Sequence, residues 1–159
     1  MELQIRPFRD LSEQNQQEIV GLIKAGKEAN ADLILSRMNT SLFTAYFCHE
    51  KEIIGTATIK RPELSYRNYV VEKASIFRSP ECLSLELGYV YVSTNFRNQG
   101  LAFQLCQSLI ELISMYPVFA TTRYDNLGMK AILKAMDFKV EGRPYENQSK
   151  TNWLEFYSR

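Results

Sequence analysis

One histidine, His49, stands in 159 residues. Chemistry that relies on imidazole, such as zinc held by several histidines or a Ser-His or Cys-His pair, has almost nothing to draw on. The three cysteines, Cys48, Cys82 and Cys106, are odd in number and far apart. Neither a disulfide framework nor a thiolate metal site is expected from that spacing. Cys48 adjoins His49, but neighbours on a strand point to opposite faces, which argues against a dyad. Charge of one sign is also lacking: 19 Lys and Arg against 18 Asp and Glu leave +1. That balance gives no reason to expect nucleic acid or an anionic membrane as a partner. No segment approaches the ~20 consecutive apolar residues of a membrane span. "MELQIRPFRD" lacks the basic start and apolar centre of a secretory signal, so the expectation is cytoplasmic.

What is present is ordinary globular composition, 45% hydrophobic and 23% charged, enough for one domain over residues 1–159. "LQIR" alternates as a short strand. Ser12 is suited to cap a helix over 13–25, with Ile19, Leu22 and Ile23 on one face and Gly26 near its end. A second helix starts near Asn30 or Asp32 and turns Ile34, Leu35 and Met38 inward. Two alternating runs around the charged turn His49 to Glu52 predict a β-hairpin from Leu42 to Lys60. Residues 61–84 form an insertion bracketed by Pro62 and Pro80. There Tyr66, Tyr69, Val70, Lys73, Ala74 and Phe77 fit a helical face, either as a substrate-covering element or as packed surface. "LELGYVYV" is a strand, and the helix after it, to about Met115, buries Leu101, Leu105, Leu109, Leu112 and Ile113. "VFATT" is a strand, 126–136 a helix with Met129, Ile132, Leu133 and Met136 on one face. "FKVEG" and "TNWLEFY" are strands separated by a polar turn from Arg143 to Asn152. This order of elements predicts an α/β or α+β domain.

The strand ending at Val92 leads through Arg97-Asn98-Gln99-Gly100-Leu101-Ala102 into a helix. A helix N-terminus offers unpaired N–H groups and a partial positive charge. Small residues such as Gly100 and Ala102 permit close approach, and Arg97 adds a fixed charge, so the turn is suited to a phosphate. Glycine among polar residues is also ordinary loop chemistry.

This stretch resembles the Gcn5-related N-acetyltransferase (GNAT) family, whose signature is a strand-ending valine, a short turn, then Arg/Gln-x-x-Gly-x-Gly/Ala opening a helix. "IRPFRDLSEQNQQEIVGLI" is similar to the family's first strand and helix, and the 42–60 hairpin to its second and third strands. "ATTRYDNLGMKAILKAMDFKVEG" is similar to its strand-Asn-helix-Gly-Phe segment, with Asn126 and Phe138 at the matching places. The resemblance implies a mixed central sheet of about six to seven strands, the fourth and fifth splayed, flanked by about four helices. It implies acetyl-CoA or another acyl-CoA as ligand and no metal. Arg97 to Ala102 would hold the pyrophosphate; Val90, Tyr91 and Val92 would pair with the pantetheine arm. Asn126 would contact that arm, cap its helix, or do both. The acceptor would be a primary amine of a small molecule or peptide. Family members often dimerise, which makes a second copy of the chain a candidate partner.

For the reaction itself, a backbone N–H of Tyr91 or Val92 would polarise the thioester. Glu86, six residues before Val92, lies where several members carry a catalytic glutamate and is the candidate general base. Strict alternation would put Glu86, Gly88, Val90 and Val92 on one face. The family's acid tyrosine, seven residues after the asparagine, is Leu133 here; Tyr124, Tyr91 or water are the substitutes to consider. Leu133 thus motivates an alternative, a non-catalytic acyl-CoA-binding module. Asp137 and Asn98 replace family glycines, and both residue types tolerate positive φ. Arg123 and the Tyr66, Arg67 and Tyr69 cluster are candidate acceptor contacts, with surface solvation the competing explanation for each.

Overall fold

The computed structural model describes residues 1–27 and 31–159. It contains strands β1 (Glu2–Arg6), β2 (Phe43–His49), β3 (Glu52–Lys60), β4 (Glu86–Val92), β5 (Phe119–Arg123), β6 (Lys139–Glu146) and β7 (Trp153–Ser158). The helices are α1 (Glu13–Ala25), α2 (Ile34–Asn39), α3 (Leu64–Ala74), α4 (Leu101–Leu112) and α5 (Leu127–Ala135). All seven strands form one sheet in the order β1-β2-β3-β4-β5-β7-β6. β1, β2 and β3 pair antiparallel, as do β5, β7 and β6. β4 and β5 run parallel, with the register pair Glu86 and Phe119. Among the described residues no helix is long and apolar enough to cross a membrane.

The chain packs as two compact units, Met1–Arg61 with Leu87–Ser114 and Pro62–Glu86 with Met115–Arg159. In the first, Ser12 caps α1 by accepting from the Asn15 N–H, and Ile19 and Ile23 are buried with Phe8, Ile34, Met38, Tyr46 and Ile53. The start expected at Asn30 lies outside the described residues. A 3-10 turn over Ala31–Leu33 leads into α2. Leu35, expected inward, is exposed, because only Ile34 and Met38 of this six-residue helix face the cluster. Glu50 and Lys51 both take positive φ, the backbone that a two-residue hairpin turn requires. α4 buries Leu101, Leu105, Cys106, Leu109 and Ile110; Leu112, expected on that stripe, is exposed.

In the second unit the insertion forms α3, packed on β6 and β7. Val70 and Ala74 are buried with Phe119, Tyr145 and Phe156. Ser75 ends the helix in the left-handed conformation, which leaves Phe77 fully exposed beyond it instead of on its face. β6 corrects the expected turn from Arg143. It runs through Pro144 and Tyr145 to Glu146, with a register shift between Glu141 and Tyr145. An edge strand tolerates Pro144, whose missing N–H breaks no inner ladder. Gly142, at φ 69°, lies at this irregularity, and a methyl group there would stand 2.0 Å from the Ala74 carbonyl oxygen. We expect Gly142→Ala to destabilise the protein by about 2–3 kcal/mol in urea unfolding. Gly21→Ala, on α1 where a methyl meets nothing within 4 Å, should instead stabilise it by about 0.5–1 kcal/mol. Similar effects from both would contradict the packing described.

Candidate active site

In the first unit, β4 ends at Val92 and a 3-10 turn over Thr94–Phe96 delivers Arg97. The Arg97 Nε donates to the Val92 carbonyl at 3.0 Å, and its guanidinium lies 5.3 Å from the Tyr91 ring centroid. The cation is therefore held at the end of the strand. Asn98 takes φ 61° and Gly100 φ 74°; Asn98 thus does the work of the family's first glycine. Gly100 is the N-cap of α4, and no side chain caps the helix. Leu101, Ala102 and Phe103 precede the first intrahelical bond, Gln104 N–H to the Gly100 carbonyl. Arg97, Asn98, Gln99 and Gly100 are exposed. An exposed helix mouth with uncapped amides and a tethered arginine fits a diphosphate.

Tyr89 takes φ 52°, an outlier for so bulky a residue inside a strand. The alternation that would place Glu86 and Val92 on one face does not run through it. Val92 and Leu105 of α4 both border Gly55, whereas Tyr91 borders Gly26 at the end of α1. Tyr89 packs against the α1–α2 cluster, with the Lys60 ammonium 4.7 Å from its ring centroid. Val90 is half-buried. Irregular strands of this kind re-aim side chains and free ladder groups beside active sites. Nothing in the sequence signals it.

In the second unit, Glu86 opens β4 at 2% exposure. Its Oε1 accepts from the Tyr66 hydroxyl at 3.3 Å and the Thr121 hydroxyl at 3.4 Å. Burial, then the charge of Glu86, pushes the Tyr66 phenol well above its ordinary range, so it remains a proton donor. Burial and Glu86 push Tyr145 upward in the same way. The Tyr145 hydroxyl is buried with no hydrogen-bond partner among the described residues. Sequence patterning missed Tyr145, because it fell within the polar turn expected from Arg143 to Asn152, and missed Thr121, an ordinary strand residue.

Asn126 caps α5, its Oδ1 accepting from the Met129 N–H at 3.1 Å. Leu133 is fully buried. Asp137 takes φ 63°, which lets the Phe138 N–H reach the Leu133 carbonyl at 3.0 Å. Arg123 chelates Asp125 through two 2.9 Å bonds, and this holds the Asp125 carboxyl below its usual range. A cavity of about 540 Å³ is lined by Tyr124, Asp125, Pro144, Thr151, Asn152 and Trp153. Lys130 lies over the Tyr124 ring, 4.4 Å from its centroid, and pairs with Glu155 at 2.8 Å. Two of the three thiols are poor nucleophiles: burial pushes Cys106 up to about 12, and burial followed by Glu18 and Glu2 raises Cys48.

Solved structures with the same fold include proteins named as acyltransferases. An acyl-CoA N-acyltransferase from Pseudomonas aeruginosa is 13% identical, with TM-score 0.70 over 99% of this chain and 98% of that one. The structure of yncA from Salmonella typhimurium with its cofactor acetyl-CoA is 15% identical, with TM-score 0.67 over 100% and 94%. Escherichia coli ElaA is also 15% identical, with TM-score 0.73 over 100% and 99%. At these identities the likeness is one of fold. No curated protein matches the chain in sequence. The chain belongs to the acetyltransferase (GNAT) family, whose model matches residues 11–138.

Proposed function

We propose that the chain is a single N-acetyltransferase domain that moves an acetyl group from acetyl-CoA to a primary amine of a small molecule or peptide in the cytoplasm. The observation that carries this reading is the mouth of α4, exposed and uncapped behind Arg97, in a member of the acetyltransferase family. The Salmonella typhimurium relative was solved with acetyl-CoA, and the same donor suits this loop.

When bound, the donor supplies an acetyl group activated by a thiolate leaving group. The N–H groups of Leu101 and Ala102, with those of Asn98 to Gly100, would bind the diphosphate, and Arg97 would add its charge. The backbone of Val90, Tyr91 and Val92 would pair with an extended amide chain as an added strand does. An N–H of Tyr91 or Val92 would point at the thioester carbonyl. Asn126 already caps α5, and its amide nitrogen remains a donor for the same chain. Glu86 would accept the proton of the attacking amine.

A second reading has its own observation. Leu133 occupies the place of the family's acid and is fully buried, which suits a module that binds acyl-CoA and transfers nothing. Thiol release measured at saturating acetyl-CoA against a broad amine panel separates the two. Turnover well above the hydrolysis background is expected. Binding without turnover for any amine selects the second reading, and absence of binding overturns both.

A further inference from the structure

A carboxylate withdrawn from solvent as far as Glu86 needs donors. The two that meet its Oε1, from Tyr66 and Thr121, also lie 3.4 Å from each other, closing a triangle of three oxygens. Tyr66 comes from α3, the element formed by the insertion between β3 and β4. That helix is pinned along its length. The Tyr69 hydroxyl donates to the Glu146 carbonyl at 2.8 Å, and Arg67 Nη1 to the Pro80 carbonyl at 3.1 Å. Val70 and Ala74 are buried, and Gly142 admits the Ala74 carbonyl.

A phenylalanine would fill the space of the Tyr66 ring equally well; the hydroxyl adds only its bond to the carboxylate, beside the Thr121 hydroxyl. A second buried hydroxyl, that of Tyr145, has no partner among the described residues and lies within electrostatic range of the same carboxylate. Polar groups left unpaired in a protein interior are costly, so each one calls for a physical reason. The cluster is therefore built around Glu86, with hydrogen-bonding capacity left over.

We propose that Tyr66 is a positioning residue for Glu86: the inserted helix α3 holds its hydroxyl so that the carboxylate is fixed in the orientation that takes a proton from the acceptor amine. This rests on the transferase reading and on Glu86 as its base. In that step an N–H bond of the protonated amine breaks and leaves its electron pair on nitrogen. That pair forms the C–N bond to the thioester carbon while the C–S bond breaks and coenzyme A leaves as the thiolate. The proton passes to Glu86, and Tyr66 keeps its own. The insertion is then a working part of the site instead of added surface.

Tyr66→Phe removes one oxygen atom and keeps the ring. The expected result is a fall in kcat of about tenfold, with KM for acetyl-CoA and for the amine within about twofold. Tyr157→Phe, which removes a hydroxyl bound to Glu155 in the same unit, should leave kcat within about twofold. A readout that needs no turnover is the ¹³C signal of the Glu86 side-chain carboxyl, identified by its loss in Glu86→Gln. It should move in Tyr66→Phe and stay in Tyr157→Phe. An unmoved signal, or an unchanged kcat in Tyr66→Phe, overturns the assignment. If the wild type transfers to no amine, the transferase reading fails, and the carboxyl signal alone decides whether Tyr66 holds Glu86.

Discussion

Gly100→Asp should raise the acetyl-CoA dissociation constant about 100-fold, a loss of about 2.7 kcal/mol, and leave the protein folded. A side chain has room there, since a methyl group would find only the Gln104 Nε2 at 3.9 Å. The left-handed backbone costs aspartate about 1 kcal/mol. Its carboxylate is offset partly by the amides and positive end of α4, which favour an anion in the first turn. The substitution would thus place the protein's own charge at the helix mouth and repel a diphosphate there. Gly100→Asn carries the same backbone strain without the charge and should weaken binding only several-fold. Calorimetry on both variants checks this. Equal affinities for the two would mean that the charge at the helix mouth is irrelevant to the ligand.

Glu86→Gln should lower kcat about 10²- to 10³-fold while acetyl-CoA binds as before. Glutamine preserves the volume and one oxygen acceptor for Tyr66 and Thr121, so the buried cluster stays packed. What it removes is the group that would accept a proton. The size of the fall distinguishes a base from a structural carboxylate, whose replacement by the isosteric amide would change stability more than rate. Steady-state kinetics with the best amine from the panel, paired with thermal unfolding, is the measurement. A kcat within about threefold of wild type would remove Glu86 from the mechanism.

The sequence made some of this legible for physical reasons. Ser12 and Asn126 are caps because their side chains can accept from an N–H three residues on, and both do. Asn98 and Asp137 stand at positive φ because these residue types bear it with least strain. The 42–60 hairpin followed from alternation, and the loop from its glycine and arginine. Alternation failed within β4, where Tyr89 takes a conformation that no aromatic residue announces. Periodicity overran at Leu35, Leu112 and Phe77, all exposed, because α2 is short, α4 ends at Leu112 and Ser75 stops α3. The Glu86 cluster was the least legible part. Tyr66, Thr121 and Tyr145 lie far from Glu86 in the chain, and only the packing of α3, β5 and β6 brings them to it.

The central claim is that the backbone amides from Asn98 to Ala102 hold the diphosphate of coenzyme A. Titrating ¹⁵N-labelled protein with coenzyme A and following each amide by NMR tests it directly. The largest shifts should fall on Asn98, Gln99, Gly100, Leu101 and Ala102, and the same amides should stay still in Gly100→Asp. Saturable binding that moves other amides and leaves these five unchanged would contradict the account.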